Sequence, residues 1–102
     1  MEFQVRLALF AFLGLLPLAA SAQSLEEQYS TPWIKVDNPS ISRALAEADV
    51  EGCRKYKYRV SSGSKSEFLV YCNRDGKVIQ AFMVWPNIHK VIGPYPPDPS
   101  LP

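Results

Sequence analysis

One histidine, two cysteines and a net charge near zero leave this sequence short of the groups that build catalytic and metal centres. General acid–base chemistry needs a titrating side chain with a second group held beside it. No spacing ties a carboxylate or serine to His89, which therefore reads as a surface or loop histidine. A zinc site needs three or four Cys, His or carboxylate ligands held together. Here the two cysteines are expected to pair with each other and the acids are scattered, so neither metal nor cofactor is expected. Glycine is sparse as well. The one segment with some likeness to a phosphate loop, Gly63-Ser64-Lys65-Ser66, lacks the earlier glycine and the glycine before the lysine. It also joins two expected strands, whereas a phosphate loop joins a strand to a helix. A net charge of +1 singles out no polyanion, and no nucleic acid is expected as a partner.

Long apolar runs are scarce too. The longest, Leu7 to Ala20, has 14 residues and contains Gly14 and Pro17. A bilayer-spanning helix needs about 20. With a weakly basic Met1–Arg6 before it and Ala20-Ser21-Ala22 after it, the run predicts a cleavable secretory signal peptide over residues 1–22. Cleavage is expected before Gln23, and no cysteine follows that would carry a lipid. An uncleaved anchor helix is the alternative, and the shortness of the run and its proline argue against it. The mature chain then keeps no stable membrane anchor and is expected outside the cytoplasm, in a periplasm first and secreted second. Its one Asn-x-Ser pattern, Asn38-Pro39-Ser40, is spoiled as a glycosylation acceptor by its proline.

What is present fits a single small domain. About 80 residues follow the leader, and a domain of that size buries only roughly 60–65% of its unfolded surface. A disulfide matters in such a chain. In an exported protein two cysteines predict one bridge, Cys53–Cys72. Closing that loop stabilises by about 3 kcal/mol.

The periodicities predict an α+β fold, one helix packed on a small three- to four-stranded antiparallel sheet. Trp33 to Val36 suits a short strand. Asn38 and Pro39 suit the cap and first turn of a helix over 39–49, with Ile41, Ala44, Leu45 and Ala48 as its apolar stripe and Gly52 as its terminator. Arg54 to Val60 alternates, with Lys55, Lys57 and Arg59 on one face and Tyr56, Tyr58 and Val60 on the other. Phe68, Val70 and Cys72 form the inward face of a second strand, with Leu69 and Tyr71 facing away. Asp75-Gly76 marks a two-residue hairpin turn into a third strand over 78–85 that is apolar on both faces. Such a turn sets Val70 opposite Ala81 and Phe68 opposite Met83; Tyr56 opposite Val70 would set Arg59 across from Glu67. The expected organisation is a leader over 1–22, an α+β domain over 23–92 and a solvated Pro-rich tail over 93–102, where five prolines fall in the last nine residues.

Charge is distributed unevenly. Residues 23–51 carry six acids against two bases, and residues 52–102 carry eight bases against three acids. Arg54-Lys55-Tyr56-Lys57-Tyr58-Arg59 interleaves bases and rings, a pattern that can grip an anion, although strand alternation sends lysines and tyrosines to opposite faces. The candidate binding surface is therefore the outer sheet face, Lys55, Lys57, Arg59, Leu69 and Tyr71, joined by Trp85 at the end of the third strand. The tail's Pro-x-x-Pro spacing offers a second docking element. The function expected is a non-catalytic binding or protein-interaction module of the cell envelope. Its partner would be an envelope or extracellular protein or an anionic ligand, with the oligomeric state open. The alternatives are a small periplasmic or secreted enzyme using His89, and an inhibitor or immunity-type protein.

Overall fold

The computed structural model describes residues 24–101; the leader, its cleavage point and Pro102 lie outside the described residues. After a four-residue helix, α1 (Leu25–Gln28), come the principal helix α2 (Pro39–Glu47) and strands β1 (Lys55–Val60), β2 (Phe68–Arg74), β3 (Lys77–Trp85) and β4 (Lys90–Tyr95). The strands form one antiparallel sheet in the order β1-β2-β3-β4. The α+β class read from the sequence is the observed one, with α2 on one face of the sheet and a single disulfide.

Local chemistry explains α2. Asn38 Oδ1 accepts from the N–H groups of Ser40 and Ile41 at 3.0 and 3.3 Å, and Pro39 fills the first position. The helix stops two residues short of the expected Asp49, and Gly52 is not its terminator. Asp49 itself takes the left-handed conformation (φ 56°). Asp49 N–H donates to Ala46 O and Val50 N–H to Leu45 O, both at 3.0 Å. This is a Schellman closure, with Val50 supplying the apolar contact that usually accompanies it. Ala48, now the cap, is exposed, while Ile41, Ala44 and Leu45 are buried. They pack on Tyr56, Tyr58, Val70, Phe82 and Val84.

Register differs from expectation in two places. Asp75 (φ 53°) and Gly76 (φ 79°) make the two-residue turn, with Arg74 opposite Lys77. A bulge at Ile79 then inserts one residue, so Val70 faces Phe82 and Phe68 faces Val84 rather than Ala81 and Met83. Because side chains alternate, one extra residue exchanges the faces of all that follows. The larger Phe82 and Val84 thereby enter the helix-side core. Between β1 and β2 the pairing slides by two, setting Tyr58 opposite Val70 and Arg59 opposite Leu69, not Glu67.

The second sheet face is not open. Residues 24–34 cross it from one side and the C-terminal segment from the other, burying Tyr29, Leu69, Tyr71, Ala81 and Leu101 together, with Leu25, Trp33 and Met83 against them. The expected exposure of Leu69 and Tyr71 is thus corrected: a face carrying Leu69, Tyr71, Ala81 and Met83 is too apolar to face water. The solvated tail is corrected as well. Strand β4 runs through 93–95, across the boundary expected at residue 93. Leu101 is 7% exposed, and Asp98 N–H donates to Tyr71 Oη at 2.9 Å. Gly93 is required where β4 meets β3, since a Cβ there would lie 2.8 Å from Ala81 O and 2.7 Å from the Phe82 ring. The strand expected at Trp33–Val36 reduces to one bridge, Ile34 with Tyr58, which closes the β1 edge.

Candidate functional site

The site begins with the pairing of Ile34 and Tyr58, joined by hydrogen bonds of 2.8 and 3.0 Å. Alternation then brings Trp33 and Lys35 to the face of β1 that carries Lys57 and Arg59. Trp33 lies beneath two cations: Lys57 Nζ stands 4.3 Å and Arg59 Cζ 4.5 Å from its ring centroid. Its ring also meets Tyr71 at 4.7 Å between centroids, tilted by 45°. Lys57 is half-buried and Lys55 exposed, but Arg59 is 6% exposed. The guanidinium of Arg59 donates one long hydrogen bond, Nη1 to Tyr29 O at 3.4 Å, and its buried Nε has no partner.

Electrostatics follow from this crowding. The Lys57 ammonium is held below its ordinary pKa, first by partial burial, then by the positive charges of Lys35 and Arg59. Two tyrosines of the covered face move upward. Burial raises Tyr29, helped by the hydrogen bond it donates to Glu67 and by that carboxylate's charge; burial also dominates the rise at Tyr71.

Two open grooves lie near the hairpin end of the sheet. One, of about 380 Å³, is lined by Lys35, Asp37, Lys55, Lys57 and Asn73, with Gly76 at its hairpin end. The other, of about 350 Å³, is lined by Gly52, Arg54, Lys55, Asn73, Arg74 and Asp75. They share Lys55 and Asn73, so five bases and two carboxylates line the two adjoining grooves at the hairpin end of the sheet.

Of the six residues expected to form a binding surface, Lys55 and Lys57 line the first groove. Arg59, Leu69 and Tyr71 are buried under the arm and tail. Trp85 is half-buried at the other end of β3, where Lys90 Nζ lies 5.1 Å from its ring, and joins neither groove. Lys35, Asn73 and Arg74 also line the grooves without standing out in the sequence, and so does Arg54, which opens the base-and-ring run but lies outside the expected outer face. For Lys35 the signal was available, since Trp33-x-Lys35 alternates in step with Lys57-x-Arg59.

Sequence spacing ties no carboxylate to His89, which lies exposed in the connection between β3 and β4. The fold supplies one: Nδ1 lies 3.0 Å from Glu47 Oε1, the last residue of α2, with the two side chains 70% and 48% exposed. Cys53 and Cys72 form the predicted bridge, with Cα atoms 4.8 Å apart, tying the loop after α2 to β2. Among the described residues, no group of three His, Cys, Asp or Glu side chains is arranged to hold a metal. No helix among them is long and apolar enough to cross a membrane. The disulfide is consistent with a location outside the cytoplasm.

The chain matches no family model, no curated protein and no solved structure. Its function is therefore argued from the grooves and their charges.

Proposed function

We propose that this is an exported, non-catalytic binding module of the cell envelope, periplasmic rather than secreted. It engages an acidic partner through the basic surface at the hairpin end of its sheet. The observation that carries this reading is the convergence of Lys35, Lys55 and Lys57 on one groove, adjoining a second lined by Arg54 and Arg74. Like charges side by side destabilise a fold, and the pKa of Lys57 is lowered first by partial burial and then by the charges of Lys35 and Arg59. A bound anion relieves that repulsion. The surface is polar and open, which suits recognition and on-rate more than water-excluding chemistry.

Site-specific photocrosslinking in the native compartment tests the reading. A photoreactive residue at Asn73, inside the grooves, should give a discrete adduct, and one at Arg43, on the exposed side of α2, should not. Adducts from Arg43 with none from Asn73 would overturn the assignment. The rival enzyme reading draws on the His89–Glu47 pair. It requires His89→Ala to abolish an activity of the purified protein, whereas the binding module requires retention by its partner to be unchanged in that variant.

A further inference from the structure

We infer that the two adjoining grooves form a phosphate-binding site, taking a ligand that presents two or more phosphate groups. This deepens the proposed binding role and rests on it. The inference follows from which cations each groove offers. The basic residues lining the first are the lysines Lys35, Lys55 and Lys57, with no arginine among them, because Arg59 is buried against Trp33. Ammonium groups are point donors that approach an anion from separate directions, which suits a tetrahedral phosphate better than a planar carboxylate. The second groove adds Arg54 and Arg74, whose planar forks serve phosphate and carboxylate alike. Phosphate is the anion that both sets of donors accept. Lys55 and Asn73 line both grooves, so a ligand with linked phosphates can reach from one groove into the other around the end of the sheet. Asp37 and Asp75 on the rims oppose any anion that strays from the bases, which limits the register a polyphosphate can take.

Trp33 supports the arrangement from below. Its ring receives both Lys57 and Arg59, and it belongs to an arm held by the Ile34–Tyr58 bridge and by Thr31 Oγ1 accepting from Val60 N–H at 2.9 Å. Lys57 is thereby presented from a braced stem rather than a free one, which lowers the ordering cost of binding.

The test is a titration of the exported, purified protein followed by amide NMR shifts, with inorganic phosphate, tripolyphosphate, succinate and vesicles of phosphatidylglycerol or phosphatidylcholine as separate probes. Tripolyphosphate should shift the amides of Lys35, Lys55, Lys57, Asn73 and Arg74, and bind at least about ten-fold tighter than inorganic phosphate. Lys55→Gln should weaken it about ten-fold, with the rest of the spectrum unchanged; Lys65→Gln, in the β1–β2 loop, should leave it as it was. Response to tripolyphosphate and to phosphatidylglycerol together supports a phosphate site that a lipid headgroup can supply, whereas response to phosphatidylglycerol alone reports attraction to a negatively charged membrane, since both lipids carry a phosphate, and overturns the phosphate assignment. Response to tripolyphosphate without vesicle binding supports a soluble ligand. Succinate binding as tightly as phosphate overturns the phosphate assignment and leaves the basic-face role standing. So does the absence of any phosphate response in a protein whose envelope retention is still lost on reversing the charge of Lys55. If neither phosphate response nor charge-sensitive retention is seen, both inferences fall.

Discussion

Replacing Arg59 by Met should leave the domain as stable as before or stabilise it. A guanidinium that is 6% exposed has lost nearly all its water, and the effective cost of burying an ion is several kcal/mol. Against that stand a desolvated cation–π contact with Trp33, worth up to about 2 kcal/mol, and a hydrogen bond whose 3.4 Å length puts it at the weak end. The unpartnered Nε adds a penalty of roughly 1–3 kcal/mol that nothing repays. Among the described residues no carboxylate accepts from Arg59, so these contributions leave it near zero or unfavourable. Met is flexible, apolar and of similar length, and can fill the space beneath Trp33. A net gain of about 1 kcal/mol would raise the thermal midpoint by roughly 4–8 °C in a domain of this size. Thermal and urea unfolding of the purified protein measure this, with Arg59→Ala as the variant that leaves a cavity and loses stability. A fall of 2 kcal/mol or more for Arg59→Met would refute the reasoning, showing that the buried guanidinium is a net stabiliser. The same variant should let the Lys57 pKa rise, since it removes one of the charges that hold it down.

Three further outcomes are expected. Tyr29 has its pKa raised above its unfolded value, so the stability it contributes is fully present below about pH 10 and is lost as pH climbs further. Unfolding measured between pH 8 and 11 should show that alkaline loss, and Tyr29→Phe should flatten it while reducing stability at neutral pH by about 1 kcal/mol. Leu101→Ala should cost about 2 kcal/mol, the low end for a buried Leu because the exposed residues just before it can settle into the gap, and should raise binding of an apolar dye. If Leu101→Ala changes neither, the tail does not cover the sheet. The paired substitution Cys53→Ala with Cys72→Ala should lower stability by about 3 kcal/mol in urea unfolding; an unchanged midpoint would deny the bridge a structural role.

The helix-side half of the domain was legible in the sequence because its signals are local. Asn38-Pro39, the Ile41/Ala44/Leu45 stripe, the Arg54–Val60 alternation and Asp75-Gly76 each name an element within a few residues. The other face was hidden for two reasons. Ile79 enters as a bulge that no residue type announces, and it reverses the faces of β3. Leu25, Tyr29 and Trp33 sit four apart in a polar stretch, a spacing whose meaning depends on a sheet formed later in the chain. Leu101 is one apolar residue among prolines and gives no period at all. The site was half legible on the same grounds. Lys55 and Lys57 stood out from strand alternation and Arg54 adjoins them in the chain, but Lys35 reaches them only through the Ile34–Tyr58 bridge and Arg74 only through strand pairing at the hairpin end. Glu47 meets His89 across 42 positions of sequence, beyond any spacing argument.

Retention of the protein on isolated envelopes, compared between Lys55→Glu and Lys65→Glu, tests the basic-surface account most directly. The two changes alter net charge equally; Lys55 lines both grooves, and Lys65 is exposed in the loop between β1 and β2. Lys55→Glu should lose retention at least about ten-fold, and Lys65→Glu should match the parent, with raised salt removing the difference as surface charges are screened. Equal retention of the two variants would contradict the account.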